Sequence, residues 1–491
     1  MAKFNEAPIV KEPAQDGILT APAIREHASV EVQCWPGKAK DQTAIDLPPE
    51  RVPDWQERGI AKLGELLEKN KALRVYMDIC VRCGACTDKC QFYLGTGDPQ
   101  NMPVARAELL RQVYRRYYTL GGQLFPELNE AADFDEEMLA KWYTYFFQCS
   151  ECRRCSVFCP YGIDTAEITM AAREIMSSIG MTTKYVSEVV AKVYQTGNNL
   201  GIPPAAWIDN CEFLEDDLLE ETGVPLRFPV DDEGADVLLV PPSADNFANV
   251  DTMIGYAKLF HVLGIPWTTG TYCNEGGNFG LFLNYANLKK VNNRIIDAAR
   301  MLGVKTIIWG ECGHAWRAGI LTPTLSGPMD MFDPPYPYHI SQFIVDMLRR
   351  GALDDKIDKS ANDDLLVTYH DPCNPARAGQ LLDEPREVIR ASCNRFVEMP
   401  ADTIREKTYC CGAGGGLLAD ELMPIRMAGG KPRAMAVKYV KANYLATPCA
   451  ICKAQLPGVM KYWDVPAQVG GVIDLLANAL KLFSRDAGGG K

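Results

Sequence analysis

Two cysteine runs constrain this chain more than any other feature. Cys80-x2-Cys83-x2-Cys86-x3-Cys90 lies in "CVRCGACTDKC", and Cys149-x2-Cys152-x2-Cys155-x3-Cys159 lies in "CSECRRCSVFCP". Three closely spaced thiolates wrap one face of a four-iron cubane, and a displaced fourth cysteine crosses to the neighbouring cluster. The spacing therefore assigns Cys80, Cys83, Cys86 and Cys159 to one [4Fe–4S] cluster. Cys149, Cys152, Cys155 and Cys90 would hold a second. Structural zinc sites are usually built from separated Cys-x2-Cys pairs, so a triple run given twice argues against zinc. One departure stands out: Gln91 follows Cys90, where many ferredoxins have proline. Ligation is left intact there, but one turn constraint is lost.

The chain carries 18 cysteines among 491 residues. Its first residues, "MAKFNEAPIVKEPAQDG", lack the charged-then-apolar profile of a signal peptide. Apolar runs such as "ADVLLV" and "TIIW" are too short to span a bilayer. Clustered cysteines in a reducing compartment bind metal more often than they form disulfides. A cytoplasmic protein is the expectation. With 51 basic against 63 acidic residues, the net charge of −12 argues against a nucleic-acid surface.

Residues 1–52 read as an extended arm rich in Pro, Ala and charge, with Cys34 an ordinary free thiol. A helix is predicted from Asp54, with Glu57 completing a capping box and Ile60, Leu63, Leu66 and Leu67 forming its apolar stripe. The arm and first helix fill 1–70, a helical two-cluster domain 71–200, and a polar, acidic connector 201–235. From 236 onward short β-rich runs end in glycine, proline or cysteine: "ADVLLVPPS", "GIPWTTG", "VKTIIWGEC", "DLLVTYHDPC" and "ANYLATPC". Helical stretches such as "NRIIDAARML" and "PRAMAVKYVK" separate them, which reads as α/β with mainly parallel strands. The cysteines fall at the strands' carboxyl ends, where open α/β sheets bind ligands.

That second half holds "TYCCGAGGG", residues 408–416, a cysteine doublet followed by four glycines in five positions. With Cys373 in "YHDPCNPAR" and Cys449 and Cys452 in "ATPCAICKAQ", the doublet makes a set of five thiols, one more than a cubane needs. Such a set suits an expanded or opened iron–sulfur cluster, with glycines 412 and 414–416 letting the backbone come near it. An internal repeat is also visible. "TYCNEGG" echoes "TYCCGAGG", and Cys312 lies 39 positions after Cys273, as Cys449 does after Cys410. "DVLLVPPSADN" echoes "DLLVTYHDPCN", placing Asn246 at the station of Cys373. One unit, 236–360, is thus an eroded copy of the other, 361–491. Either Cys273 and Cys312 are plain buried residues, or the eroded copy leaves an open cavity facing the intact site.

These motifs, with the pattern Cys-x36-Cys-Cys-x37-Cys-x2-Cys, resemble the HdrD-like heterodisulfide reductase family of CCG-domain iron–sulfur proteins, and within it the DsrK-type branch. The resemblance runs from about residue 71 onward. It implies a helical ferredoxin-like domain with two cubanes, then a duplicated CCG-type α/β domain with one intact and one eroded cluster site. Carried over, Cys373, Cys410, Cys411, Cys449 and Cys452 hold a noncubane [4Fe–4S] cluster that cleaves a disulfide. The family often has two intact copies and this chain has one. The resemblance further implies a DsrC-like sulfur-carrier protein as disulfide or trisulfide substrate. It also implies an integral-membrane cytochrome b-type partner within a DsrMKJOP-like complex, and attachment to the inner face of the cell membrane through such partners.

Outside the ligands, His370 and His314 are candidate proton donors to a leaving thiolate. Arg106, Arg111, Arg115 and Arg116 read as the solvated face of a helix, or less readily as a docking face. Two other readings compete with an S–S reductase. One is the iron–sulfur subunit of a quinone-linked glycolate or lactate oxidase, which would need a flavin partner because no G-x-G-x-x-G opens a βαβ unit here. The other is a non-catalytic electron relay, against which five thiols count, since a relay needs four.

Overall fold

The apolar stripe of Ile60, Leu63, Leu66 and Leu67 lies on a helix, α1 (Trp55–Lys69), in a computed structural model that describes residues 22–482. Asp54 caps this helix by backbone position only. Its side chain makes no capping bond, so the expected box with Glu57 is not formed. Four further helices, α2 (Gln91–Thr96), α3 (Pro103–Tyr118), α4 (Glu136–Phe147) and α5 (Thr165–Ser178), enclose a core with α1 that includes Leu63, Leu110, Trp142, Phe146 and Ile175. Each cysteine run lies between these helices in a stretch that holds only one short turn of helix, Thr87–Lys89 in the first and Arg154–Val157 in the second.

The arm departs from its expectation of an extended segment. Residues 1–21 lie outside the described residues, and 22–52 wrap the helical domain. Ser29 Oγ donates to the buried Asp98 at 2.6 Å, and a short helix, Ala39–Ala44, follows. Cys34 is buried, which pushes its thiol up to about 12.

The stretch read as a connector, 201–235, is mostly helix: α6 (Pro204–Thr222) buries Trp207, Cys211, Leu214 and Leu218 in the core of the second half. Its acidic residues occupy the solvent side, and that acidity hid the apolar stripe at 3.6-residue spacing.

Among the described residues seven short strands form two parallel sheets. β1 (Val237–Val240), β2 (Trp267–Thr268), β3 (Thr306–Trp309) and β4 (Tyr338–His339) run in the order β2-β1-β3-β4, and β5 (Val367–Tyr369), β6 (Tyr444–Ala446) and β7 (Gln468–Gly470) in the order β5-β6-β7. A single parallel bridge between Val367 and Phe396 stands where β2 stands in the first sheet. The same winding is therefore used twice.

Around the first sheet lie α7 (Val250–Leu263), α8 (Tyr285–Leu302), α9 (Gly313–Gly319) and α10 (Ile340–Arg349). Around the second lie α11 (Glu384–Ser392), α12 (Met423–Val440), α13 (Ala450–Tyr462) and α14 (Val472–Ala479). Helix α7 packs on α14 and α10 on α11, so equivalent helices exchange equivalent contacts across the seam. One core is shared there, including Tyr256, Phe260, Ile344, Val388, Ile389 and Leu475.

The registers refine the repeat. Val240 pairs with Trp309, three residues before Cys312, and Tyr369 pairs with Ala446, three before Cys449. Counting on from Val240 and Tyr369 puts Ala244, not Asn246, at the station of Cys373.

The helical domain joins the second half where α2 crosses α12. A Cβ on Gly95 would stand 2.3 Å from the Ala428 carbonyl oxygen, and one on Gly429 would stand 2.5 Å from the Phe92 ring. Only glycine permits helices to approach this closely at those points.

Candidate metal centres

Both cysteine runs share one backbone trace. The second and fourth residues after the first cysteine take left-handed φ angles: Arg82 (53°) and Gly84 (79°) in one, Glu151 (51°) and Arg153 (63°) in the other. Non-glycine residues there cost roughly 1–2 kcal/mol each, and this turn folds the three sulfurs of a run inward.

Cys80, Cys83, Cys86 and Cys159 line one cavity; Cys90, Cys149 and Cys152 line a second; Cys155 borders both. The sulfurs separate them. Cys86, pushed up to about 11 by burial, has Cys80 and Cys159 as its thiol neighbours. Cys155 has Cys152, Cys149 and Cys90. Cys83 is exposed, so the first cavity lies at the surface.

Helix α3 is not the solvated face expected of its arginines. Arg106 is buried, donates to Tyr145 O (2.8 Å) and Asn101 Oδ1 (2.6 Å), and faces the sulfurs of Cys149, Cys90 and Cys155. Arg111, also buried, donates to Tyr76 O (3.2 Å) beside Cys80 and Cys86. Arg115 and Arg116 pair with Glu108 and Asp133 nearer the surface. Arg111 lies five positions after Arg106, and that spacing gives each cavity one buried cation.

The third group gathers at the carboxyl ends of β5 and β6. Cys373 follows β5, Cys410 and Cys411 lie in the loop before α12, and Cys449 and Cys452 stand at the start of α13; all five are buried. Hydrogen bonds from Cys373, Cys411, Ser150 and the Gly412 N–H (3.5 Å) pull the Cys410 thiol well down. Cys449 is pulled down by Cys452 and by the N–H groups of Cys452, Gly313 and Ile451. Cys373 and Cys411 are pushed up by their bonds to Cys410, and Cys452 by burial.

Five thiols sealed from water cannot all ionise against one another. A polycationic metal core takes all five as thiolates and releases their protons. Arg377, Arg426 and Arg433 stand near Cys373, Cys411 and Cys452, supplying positive charge for such an anionic assembly. The donor set fits an iron–sulfur group.

The glycines also have a task beyond the one expected. Gly412 (φ 98°) would set a Cβ 2.5 Å from Arg426 O, and Gly415 (φ 66°) would set one 2.6 Å from Cys149 O. The loop is thus bare because α12 lies against it at Gly412 and the second cysteine run at Gly414 and Gly415. Arg173 fastens the two, donating to Cys149 O and to Gly415 O at 2.7 Å each. The buried Glu151 pairs with Arg173 (3.1 Å) and with Arg317 of α9 (3.5 Å), bringing the eroded lobe to the same point. Sequence reasoning missed these groups. The glutamine after Cys90 was the visible signal, and it lies in this junction.

The charge of Cys410 reaches both candidate histidines. His314 lies edge-on to Phe279 and Phe282 (5.6 and 4.8 Å between ring centres), its Nδ1 without a partner. Burial and Arg317 push it down to about 4. Neither ring nitrogen of His370 has a partner, and burial, Arg433 and Arg377 hold it well below its ordinary value. Both rings are neutral at pH 7.

The first α/β lobe packs directly on the site at Gly313. A Cβ on Gly313 would stand 3.3 Å from Cys449 Sγ and 2.9 Å from Pro375, so the Cys312–Gly313 turn covers Cys449 directly. Cys273 and Cys312 pack with Val240 and Trp309 in that lobe's own core.

Residues 76–163 match the 4Fe-4S dicluster domain family, and residues 367–457 match the cysteine-rich domain family named CCG. The chain is 44% identical over 472 residues to the Hdr-like menaquinol oxidoreductase iron-sulfur subunit of Archaeoglobus profundus, covering 88% of this chain and 84% of that protein. It is 25% identical over 420 residues to the D subunit of the dihydromethanophenazine:CoB–CoM heterodisulfide reductase of Methanosarcina mazei, covering 83% and 95%. The EtfAB:quinone oxidoreductase of Syntrophomonas wolfei is 24% identical over 365 residues, covering 69% and 48%.

Proposed function

The chain belongs to the HdrD-like heterodisulfide reductase family of iron–sulfur redox proteins, and on that premise we propose that it is the subunit where the S–S bond of a small DsrC-like sulfur-carrier protein is reduced. One observation carries this reading: five buried thiols converge, and Cys152 of the second run stands beside Cys410 and Cys373. In this reading Cys80, Cys83, Cys86 and Cys159 hold one cubane, and Cys90, Cys149, Cys152 and Cys155 hold the other. Cys373, Cys410, Cys411, Cys449 and Cys452 hold the noncubane cluster.

When bound, the clusters would supply single-electron transfer and, at the five-cysteine centre, the reduction of S–S to two thiols with two electrons and two protons. The protein's own groups exclude water and balance charge there. Among the charged neighbours of His314 and His370, Cys410 alone favours their protonated forms. We therefore assign proton handling to His314 Nδ1 and the His370 ring nitrogens: a proton is taken up as negative charge grows at Cys410 and passed to a leaving thiolate.

Among the described residues no helix is long and apolar enough to cross a membrane. Quinol as electron source, in line with the names of the relatives, requires a partner. The proposed partners are an integral cytochrome b-type protein and the other components of a DsrMKJOP-like complex at the inner membrane face. The flow would be reversible.

The test is an anaerobic assay of the complex with disulfide-bonded carrier protein. Thiol release that depends on reduced quinone analogue and on Cys411 is the expected result. Full turnover by the Cys411→Ser variant would sink the reading.

A further inference from the structure

Three side chains outside the proposed ligand sets cross from the second cysteine run to the doublet. Gln91, fully buried, donates from Nε2 to Ser150 Oγ at 3.0 Å, and the same nitrogen lies 3.6 Å from Cys152 Sγ. Ser150, equally buried between Cys149 and Glu151, directs its hydroxyl to the sulfur of Cys410. Arg377 sits on a single π-helical turn, Asn374–Ala378, just after Cys373. Its Nε donates to Cys152 O, and its Nη1 donates to Glu406 O (2.9 Å) and Thr408 O (2.8 Å). Local folding does not ask for glutamine at position 91: it is the first residue of α2, where proline is well accommodated. The amide is explained by what it touches.

We propose that Gln91 and Ser150, held in register by Arg377, are positioning residues that set the reduction potentials of the second cubane and the five-cysteine centre relative to each other. This rests on the functional reading above. Hydrogen bonds donated to cluster sulfurs stabilise the more negative, reduced state and so raise the potential. Gln91 serves Cys152 on one side, and through Ser150 it serves Cys410 on the other. A single amide thus keeps two adjacent centres in step. The Cys80–Cys159 set lies outside this network and is independent of it.

The proposal is tested on the full chain, isolated without oxygen in its complex, by redox titration followed by electron paramagnetic resonance. Replacing the amide in Gln91→Pro should shift the one-electron reduction equilibrium of the second cubane about tenfold toward the oxidised form, about 59 mV. Ser150→Ala should do the same at the five-cysteine centre, and the Cys80–Cys159 cubane should not move in either. Where Gln91→Pro fails to load its clusters, Gln91→Met, of similar size and without a donor, gives the same reading. Unchanged potentials in variants with full iron content overturn the proposal. A wild-type protein lacking the third cluster signal would instead overturn the functional reading, which separates the two failures.

Discussion

Replacing single sulfurs separates electron supply from chemistry. Cys411 bonds both Cys410 and Cys452, at the middle of the five. Cys411→Ser should abolish the unusual cluster's signal and S–S reduction while both cubanes remain reducible. Cys152→Ser should lose one cubane and slow reduction of the five-cysteine centre without removing its signal. Metal analysis of the wild type should find about twelve irons per chain and no stoichiometric zinc, as three four-iron clusters require; eight irons, or zinc in their place, would contradict the assignment. At this scale the two cysteine runs were legible because their spacing is local in sequence, and the five-thiol set because its doublet and its Cys-x2-Cys pair are. Arg106 and Arg111 were not: a helical charge run looks the same whether it faces water or buried sulfur, and only the packing of α3 against the cysteine runs decides.

Elements were legible where periodicity was strong, as in β1, β3 and the stripe of α1, and illegible where polar residues masked a buried face, as in α6. The capping box at Asp54 is not formed, because its backbone (φ −91°, ψ 30°) lies outside the extended region that capping residues take. A working cap lies elsewhere: His339 opens α10, accepting the Ser341 N–H at Nδ1 (3.1 Å), while Gln342 Oε1 accepts the His339 N–H (3.0 Å). Burial pushes His339 down to about 3. The unfolded chain then binds a proton below pH 6.5 that the folded chain refuses. This histidine's stabilising contribution is complete above about pH 6.5 and falls by about 1.4 kcal/mol per pH unit below it. His339→Asn keeps a capping acceptor without the titration. The drop in melting temperature from pH 7.5 to 5.5 should be smaller in the variant than in the wild type; equal drops would mean the histidine is protonated in the fold. The α2–α12 crossing gives a second element-scale expectation. Gly95→Ala must push against the Ala428 carbonyl, a backbone atom, and should cost about 1–3 kcal/mol, as overpacking does. The melting temperature would fall, and the second cubane should be the first cluster lost on heating.

At the scale of the molecule, the two parallel sheets were legible as a repeat, whereas the exchange of helices across their seam was not. That the eroded lobe would close over Cys449 was not, because an internal repeat does not tell how its copies face each other. The three cysteine groups form a series from the exposed Cys83, through the second run, to five buried thiols, so electrons would enter at the Cys83 end. Large apolar side chains stand in water there: Val81 beside Cys83, and Leu120, Leu124, Phe125 and Leu128 in the segment after α3, with Leu128 84% exposed. Both groups lie on one face, because Arg82 pairs with Glu108 of α3 and with Glu130, just beyond Leu128. Exposed apolar clusters of this kind mark contact surfaces. We expect this face to seat the membrane partner. The double variant Phe125→Glu, Leu128→Glu should retain its clusters and its stability, since neither side chain is buried, yet leave the membrane fraction and lose quinol-driven reduction while an artificial reductant still drives it. Salt washing of the wild type should release little protein, because an apolar contact is not screened. Retention of the double variant on membranes would place the docking face elsewhere, and absence of the wild type from membranes would call for a soluble electron donor.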